Sequence, residues 1–362
     1  MQPKTKIYID KDSLEIIAQD SSISDNYYRK IIEIFRRHAD LYLDMNDEEL
    51  NSLREPKDLN DPGDIYSFIE GKSLPWPSAA IDNFNALHNN NGCPEINGNV
   101  IYILSKKDDV KKIREYYGVW AIYIDDINDD VFYYAFSPDL DRDEVPGNKN
   151  NGWYNILKDE IGLIPTSNSF VISDSNLLTN NKINQRTGEN HFCSLENLRE
   201  LLNLILPEKM NVPFFILIIC PPTRKLEEGK MKKIVRRWIK EIKLLRQYSI
   251  IIEFLITNKT LHSRDLYANN YRIHLDKGFY VFEPWSIRIH REDISHNDMS
   301  IDTYLSSPFQ RGKSLLDKAI SELKLLNKKY DAFRKGTGDP YIVNLLESSI
   351  KPSDFDKNRV LF

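Results

Sequence analysis

Residues 100–124 read VIYILSKKDDVKKIREYYGVWAIYI, and this stretch decides the fold class. Val100 to Leu104 is a β-rich apolar run. Lys107 to Tyr117 carries helical periodicity and stops at Gly118, a residue suited to the left-handed turn that closes a helix; Val119 to Ile124 is a second apolar run. Strand, helix and strand in so short a span predict parallel strands in an α/β layer. Upstream, KIYID (residues 6–10) reads as a strand, Asn26 to His38 as a helix and ADLYLDM (residues 39–45) as a second strand. Asn46 then caps a helix whose acidic first turn complements the positive end of the helix dipole. Residues 55–99 are rich in Pro, Asn, Asp and Gly and read as loops around at most one helix, near Ser78 to His88.

Downstream, an acidic, loop-like stretch runs from Asp125 to Pro165, and then the alternation resumes. Ser169 to Ile172 is a strand, Leu195 to Leu206 a helix ended by Pro207, and Pro213 to Cys220 a continuous apolar strand of the kind buried on both faces. Glu227 to Tyr248 is a long helix and Ser249 to Thr257 a central strand; Asp265 to Asn269 and Gly278 to Phe282 are expected to pair antiparallel. Residues 306–335 read as a polar-faced helix and 336–362 as an irregular tail. The expected fold class is α/β in two domains, as suits 362 residues. A parallel-sheet domain covers 1–135, an acidic connector 136–165, a second α/β domain 166–300, and a C-terminal helix and tail 301–362.

Composition bounds the function. Lys+Arg 49 against Asp+Glu 54 gives a formal net charge of −5, so any nucleic-acid contact must come from a local basic patch rather than a field over the whole molecule. Apolar residues at 41% and charged residues at 28% are globular values and exclude a fibrous or disordered chain. The three cysteines, Cys93, Cys193 and Cys220, form no C-x-x-C pair, which supports neither a disulfide framework nor a cysteine zinc site. No apolar run has signal-peptide or membrane-spanning length, so no transmembrane segment and a cytoplasmic location are expected. The histidines make no paired zinc spacing, and neither a G-x-S-x-G elbow nor a Walker lysine occurs.

In the first half, carboxylates fall at strand ends and in the helices beside them: Asp10 closes KIYID, Glu49 follows LYLDM, Asp82 lies in SAAIDNF, and Asp108 follows VIYILSKK. Groups at the carboxyl ends of parallel strands converge on one crevice, and three or four converging carboxylates are what Mg²⁺ or Mn²⁺ needs in a two-metal phosphodiesterase. Asp10, Glu49, Asp82 and Asp108 are therefore catalytic candidates, with Asp10, Glu49 and Asp108 as metal ligands. Asp12, Glu48 and Asp109 are alternatives to their neighbours, and acids in such places also serve as ordinary caps and solvated turns. The order IYIDKDSL, an acid after the next strand, and a late strand-Asp-helix-strand unit resembles a PIN-type ribonuclease domain over residues 6–124. That resemblance implies metal-dependent cleavage of RNA or DNA.

In the second half the informative segment is HSRDLYANNYRIHLDKGFYVF, residues 262–282. His262 and Arg264 are two apart, so on a strand they face one way, and an arginine can grip a phosphate bidentately; Asn269 completes the spacing H-x-R-x-x-x-x-N. The segment resembles a degenerate phospholipase D motif, and with the preceding strand-helix order it is similar to the phospholipase D-like domain at the C-terminus of MIT-domain proteins. The resemblance implies that His262, Arg264 and Asn269 bind an anion, with Asp174 near the same site and an anionic phospholipid as one possible ligand. A hydrolytic version would have His262 as nucleophile, would require a homodimer of half-sites and would survive EDTA. Together the two resemblances imply a nuclease of a bacterial defence or toxin-like system, or a non-catalytic module that binds anions and protein partners.

A second basic feature is KMKKIVRRWIKEIKLLR, residues 230–246. Met231, Ile234, Trp238, Ile242 and Leu245 recur at helical steps and pack inward, leaving Lys230, Lys233, Arg237 and Lys240 on the outer face. This face reads as a solvated helix surface or as a contact for nucleic-acid backbone, an anionic membrane or an acidic partner.

Overall fold

The computed structural model describes residues 5–21, 39–44, 48, 94–127, 135–136, 161–178, 181–183, 190–222, 228–256, 264–275, 279, 282–283, 288–289, 299–304, 321–322, 324–325, 328, 343–345 and 358–360. The chain divides into two compact units, Met1–Tyr133 and Tyr134–Phe362, and both are α/β. No helix among the described residues is long and apolar enough to cross a membrane.

In the first unit, β1 (Thr5–Ile9), β2 (Ala39–Leu43), β3 (Val100–Leu104) and β4 (Trp120–Tyr123) form an all-parallel sheet in the order β2-β1-β3-β4. The central strands are apolar on both faces, as a covered parallel sheet demands: Ile7, Ile9, Ile101 and Ile103 are buried, and so are Tyr8 and Tyr102. Register aligns Tyr42, Tyr8 and Tyr102 on adjacent strands, and their rings stack 4.7 and 4.8 Å apart. Helix α1 (Lys11–Ser21) follows β1. Helix α2 (Lys107–Lys112) follows β3, continues as a π turn over Ile113–Tyr117 and stops at Gly118, whose φ of 61° is the left-handed conformation that glycine adopts without strain.

The second unit has a mixed sheet of eight strands among the described residues, in the order β16-β10-β9-β6-β11-β12-β15-β5. Its parallel core is β6 (Ser169–Ser173), β9 (Phe214–Cys220) and β10 (Ile250–Ile256), linked through α3 (Cys193–Ile205) and α4 (Glu228–Lys243). Both helices cover one face. Leu198 and Leu202 of α3 and Val235, Trp238 and Ile242 of α4 share a core with Phe170, Ile172, Ile216 and Phe254. Antiparallel strands β11 (Asp265–Tyr267), β12 (Tyr271–Leu275), β15 (Met299–Thr303) and β5 (Ala135–Phe136) extend one side, and β16 (Val343–Leu345) pairs with β10 on the other. The remaining strands, β7 (Asn181–Ile183) with β8 (Asn190–Phe192) and β13 (Phe282–Glu283) with β14 (Arg288–Ile289), make two small ribbons.

Three expectations change here. The antiparallel partner of Asp265–Tyr267 is Tyr271–Leu275, because the chain turns at once through Asn269 and Asn270 and YRIHL alternates apolar and polar residues at the strand period. Strand β5 straddles the expected start of the connector at 136, β15 straddles the expected end of the second domain at 300, and β16 lies in the stretch expected as tail, so the second sheet draws on chain from 135 to 345. Helix α4 ends at Lys243 rather than Tyr248. The expected helices at 26–38 and 78–88 lie outside the described residues, as does all but Glu48 of the one following Asn46.

Candidate functional site

In the first sheet, β1 is followed by α1 and β2 on one side, and β3 by α2 and β4 on the other. The carboxyl ends of β1 and β3 therefore bracket the topological switch point, where open α/β sheets place their ligands. Asp10 stands there. Its Oδ1 accepts the Ser13 N–H at 2.9 Å, which makes Asp10 the N-cap of α1. Its Oδ2 accepts both the N–H and the hydroxyl of Ser105 at 2.8 Å, tying the end of β1 to the end of β3. The Ser105 hydroxyl also approaches Asp12 at 3.4 Å. Asp108 lies exposed in the first turn of α2 beside Asp109, a position that the helix dipole favours. Glu49 and Asp82 lie outside the described residues.

A two-metal site of the kind expected from the sequence would draw on three or four converging carboxylates. Among the described residues no such group exists, and both oxygens of Asp10 are already occupied by three donors. The described residues alone do not assemble the expected ligand set, of which Glu49 and Asp82 lie outside them.

In the second unit, Arg264 and Asn269 are at opposite ends of β11. Arg264 adjoins the edge where β6 finishes, since Asp265 registers with Ser173. Asn269 sits in the β11–β12 turn and is held at the start of β6, where its Oδ1 accepts the Ser167 hydroxyl at 2.6 Å and the Asn168 N–H at 3.1 Å. At about 3.4 Å per residue the two are on the order of 15 Å apart, so Asn269 locks a turn and does not share a site with Arg264. His262 lies outside the described residues.

Asp174 does lie near Arg264. It is fully buried at the end of β6 and accepts the N–H groups of Asn176 (2.7 Å) and Phe279 (3.1 Å). Burial raises its carboxyl above the ordinary value, against those hydrogen bonds and the Arg264 charge. Arg264 is half-buried, and its buried Nε has no hydrogen-bond partner among the described residues.

The sheet face opposite α3 and α4 holds a polar cluster that the sequence reading missed. Asp265 is 0% exposed and accepts from Arg272 (2.7 and 2.8 Å), from His274 Nδ1 (2.7 Å) and from the Tyr267 hydroxyl (3.0 Å). A carboxylate only accepts, so His274 carries its proton on Nδ1. The Tyr267 hydroxyl also meets Glu322, and Asp302 registers beside Arg272 on β15. Burial pulls the Asp265 carboxyl up, but the His274 hydrogen bond and the Arg272 charge outweigh it and hold the group below its ordinary value. Burial pushes Asp302 the other way, above its ordinary value. Three carboxylates against one guanidinium and one imidazole leave the cluster with an excess of acid, unsuited to a further anion.

The surface suited to anions is α4. Met231, Val235, Trp238, Ile239 and Ile242 are buried, while Lys230, Lys233, Arg236, Arg237 and Lys240 are exposed. Among the described residues Arg237 pairs with Glu241 at 3.4 Å, and none makes an ion pair with the other four. Arg236 joins the residues expected on this face, and its place follows from the same helical period. Arg246 leaves it: its guanidinium donates to the carbonyls of Asn203, Leu206 and Pro207 at 2.6, 2.8 and 2.9 Å, capping the end of α3.

No family model matches the chain, and no curated protein matches it.

Proposed function

We propose that the chain is a nucleic-acid-binding protein whose second unit engages phosphate through the outer face of α4. One observation carries this reading: five exposed cations share one helix face of a protein with net charge −5, and only Arg237 among them is paired within the described residues. An acidic molecule gains little nonspecific attraction for polyanions, so a concentrated patch is where backbone contact would occur. Arg264, whose buried Nε has no hydrogen-bond partner among the described residues, is a second candidate contact. The polar cluster around Asp265 is excluded as the phosphate site by its excess of carboxylates. Titration of fluorescently labelled nucleic acid followed by anisotropy tests the reading. The variant Lys233→Glu/Arg237→Glu/Lys240→Glu should bind more than about tenfold more weakly at low salt. Equal affinity would overturn it.

A second reading, phosphodiester hydrolysis by the first unit, is favoured by the position of Asp10 at the β1/β3 switch point. It predicts cleavage of RNA or DNA with Mn²⁺ that stops in EDTA and in Asp10→Asn. Cleavage that persists under both changes removes the first unit's carboxylates from consideration and directs attention to His262.

A further inference from the structure

The reading of α4 as a phosphate contact leaves open which polyanion it takes, and the composition of the helix face narrows the choice. At 100° per residue, the five cations fall within an arc of about 120°, and from Lys230 to Lys240 they run along about 15 Å of helix. Every polar group on this arc is a cation on a long, flexible stem, and the one aromatic residue of α4, Trp238, is 2% exposed and packed into the core. Proteins that hold single strands combine basic grooves with exposed aromatic rings on which bases stack, each stack contributing about 1–3 kcal/mol. The α4 face offers no such ring. Over about 15 Å of axis a duplex presents about nine phosphates and a single strand about four, so a flat basic patch without rings gains more from the duplex.

A membrane surface fits less well. Amphipathic helices that dock on bilayers bury their apolar face among the lipids, and the apolar face of α4 is already the core of the second unit. One apolar side chain remains on the basic side, Leu244 at 83% exposure just past the helix end.

We infer that α4 contacts double-stranded nucleic acid along its phosphate backbone, an assignment that rests on the proposed function and specifies its ligand. Five contacts predict that log K falls with log salt at a slope of about −4.5, a loss of roughly 500-fold between about 50 and 200 mM. The probes are a mixed-sequence DNA duplex, oligothymidylate of equal length, and vesicles of phosphatidylcholine with phosphatidylserine. The full chain should bind the duplex more tightly than oligothymidylate. Lys233→Glu/Arg236→Glu should flatten the duplex slope to about −2.7, while the charge-conserving Lys233→Arg/Arg236→Lys keeps it, which separates loss of charge from loss of fold. Lys111→Glu/Lys209→Glu, the same charge change on exposed residues outside α4, should leave the slope in place. Tighter binding of oligothymidylate would overturn the duplex assignment and leave the phosphate reading standing. Binding to vesicles with neither nucleic acid bound, or a slope indifferent to Lys233→Glu/Arg236→Glu, would overturn both.

Discussion

Asp265 is the residue whose surroundings most constrain it. It is 0% exposed, and four donor contacts from Arg272, His274 and Tyr267 converge on its two oxygens. Removing one member of a buried ion pair leaves the other unpaired, so Asp265→Asn should lower unfolding free energy by about 3–5 kcal/mol, measured by urea denaturation at neutral pH. Because the folded carboxyl titrates below its unfolded value, its contribution is complete above the unfolded value and is lost as pH falls through the folded one. The gap in melting temperature between the parent protein and Asp265→Asn should therefore close on acidification below about pH 4. A gap that stays constant would show that the carboxylate is not held charged by its partners. Asp10 carries a smaller load. Asp10→Ala removes the cap of α1 and the tie to Ser105, and should cost about 1–3 kcal/mol in the same measurement. Asp10 as the end of a strand was legible in the residues, since IYID is apolar up to an acid. Its partner Ser105 was not, because the link joins residues 95 apart in sequence and depends on β1 and β3 being neighbours. His274 and Arg272 carried a readable signal, the alternation of YRIHL, but the stretch lay inside a motif read as a turn between strands.

Elements were easier to read than residues where their period was uninterrupted. PFFILIIC and SIIIEFLIT are long apolar runs, and both are central parallel strands; the eleven residues after Ser105 and Lys106 form a helix that stops at Gly118 as its chemistry requires. Strands of two or three residues, such as β5 and β16, hold their place by pairing rather than by propensity, and no window of their own sequence reveals them. Helix ends also depend on tertiary partners. The chain after Lys243 leaves α4 so that Arg246 and Tyr248 can reach back to Pro207, which spends the arginine on the carbonyls that end α3. Arg246→Lys keeps the charge but not the planar fork, so it should lose most of the stability that Arg246→Ala loses, about 2 kcal/mol or more by urea denaturation. Full retention by Arg246→Lys would reduce the contact to simple charge. The segment Asn358–Val360 is a second such element: Asn358 accepts from the Ser169 hydroxyl at 2.9 Å and donates to the Phe170 carbonyl at 3.1 Å, while the Arg359 guanidinium lies 5.0 Å from the Phe215 ring centre. Deleting residues 358–362 exposes the start of β6 and should lower the melting temperature of the second unit by several degrees, since ~1 kcal/mol moves the midpoint by ~2–4 °C in a domain of this size.

At the scale of the whole molecule, the formal charge of −5 averages over unlike surfaces. The acids of the first unit are partly consumed by architecture, as Asp10 is at the switch point, and Asp265 is paired with Arg272 and His274. Of the five cations on the outer face of α4 only Arg237 has an acidic partner among the described residues, which is why the proposed interface falls there. The α/β class and the basic helix were legible because period and charge are local properties of sequence. Convergence of a site was not, because it depends on strand order: Arg264 and Asn269, five residues apart, lie at opposite ends of one strand, whereas Asp174 and Arg264, ninety apart, end near each other. Lysine footprinting tests the central claim most directly. The intact protein is acetylated with and without a DNA duplex, and modification is read residue by residue. Lys230, Lys233 and Lys240 should be protected by the duplex while Lys107, Lys111 and Lys209, also exposed, react as before. Protection confined to residues outside α4, or equal reactivity everywhere at a salt concentration where the duplex is bound, would contradict the account.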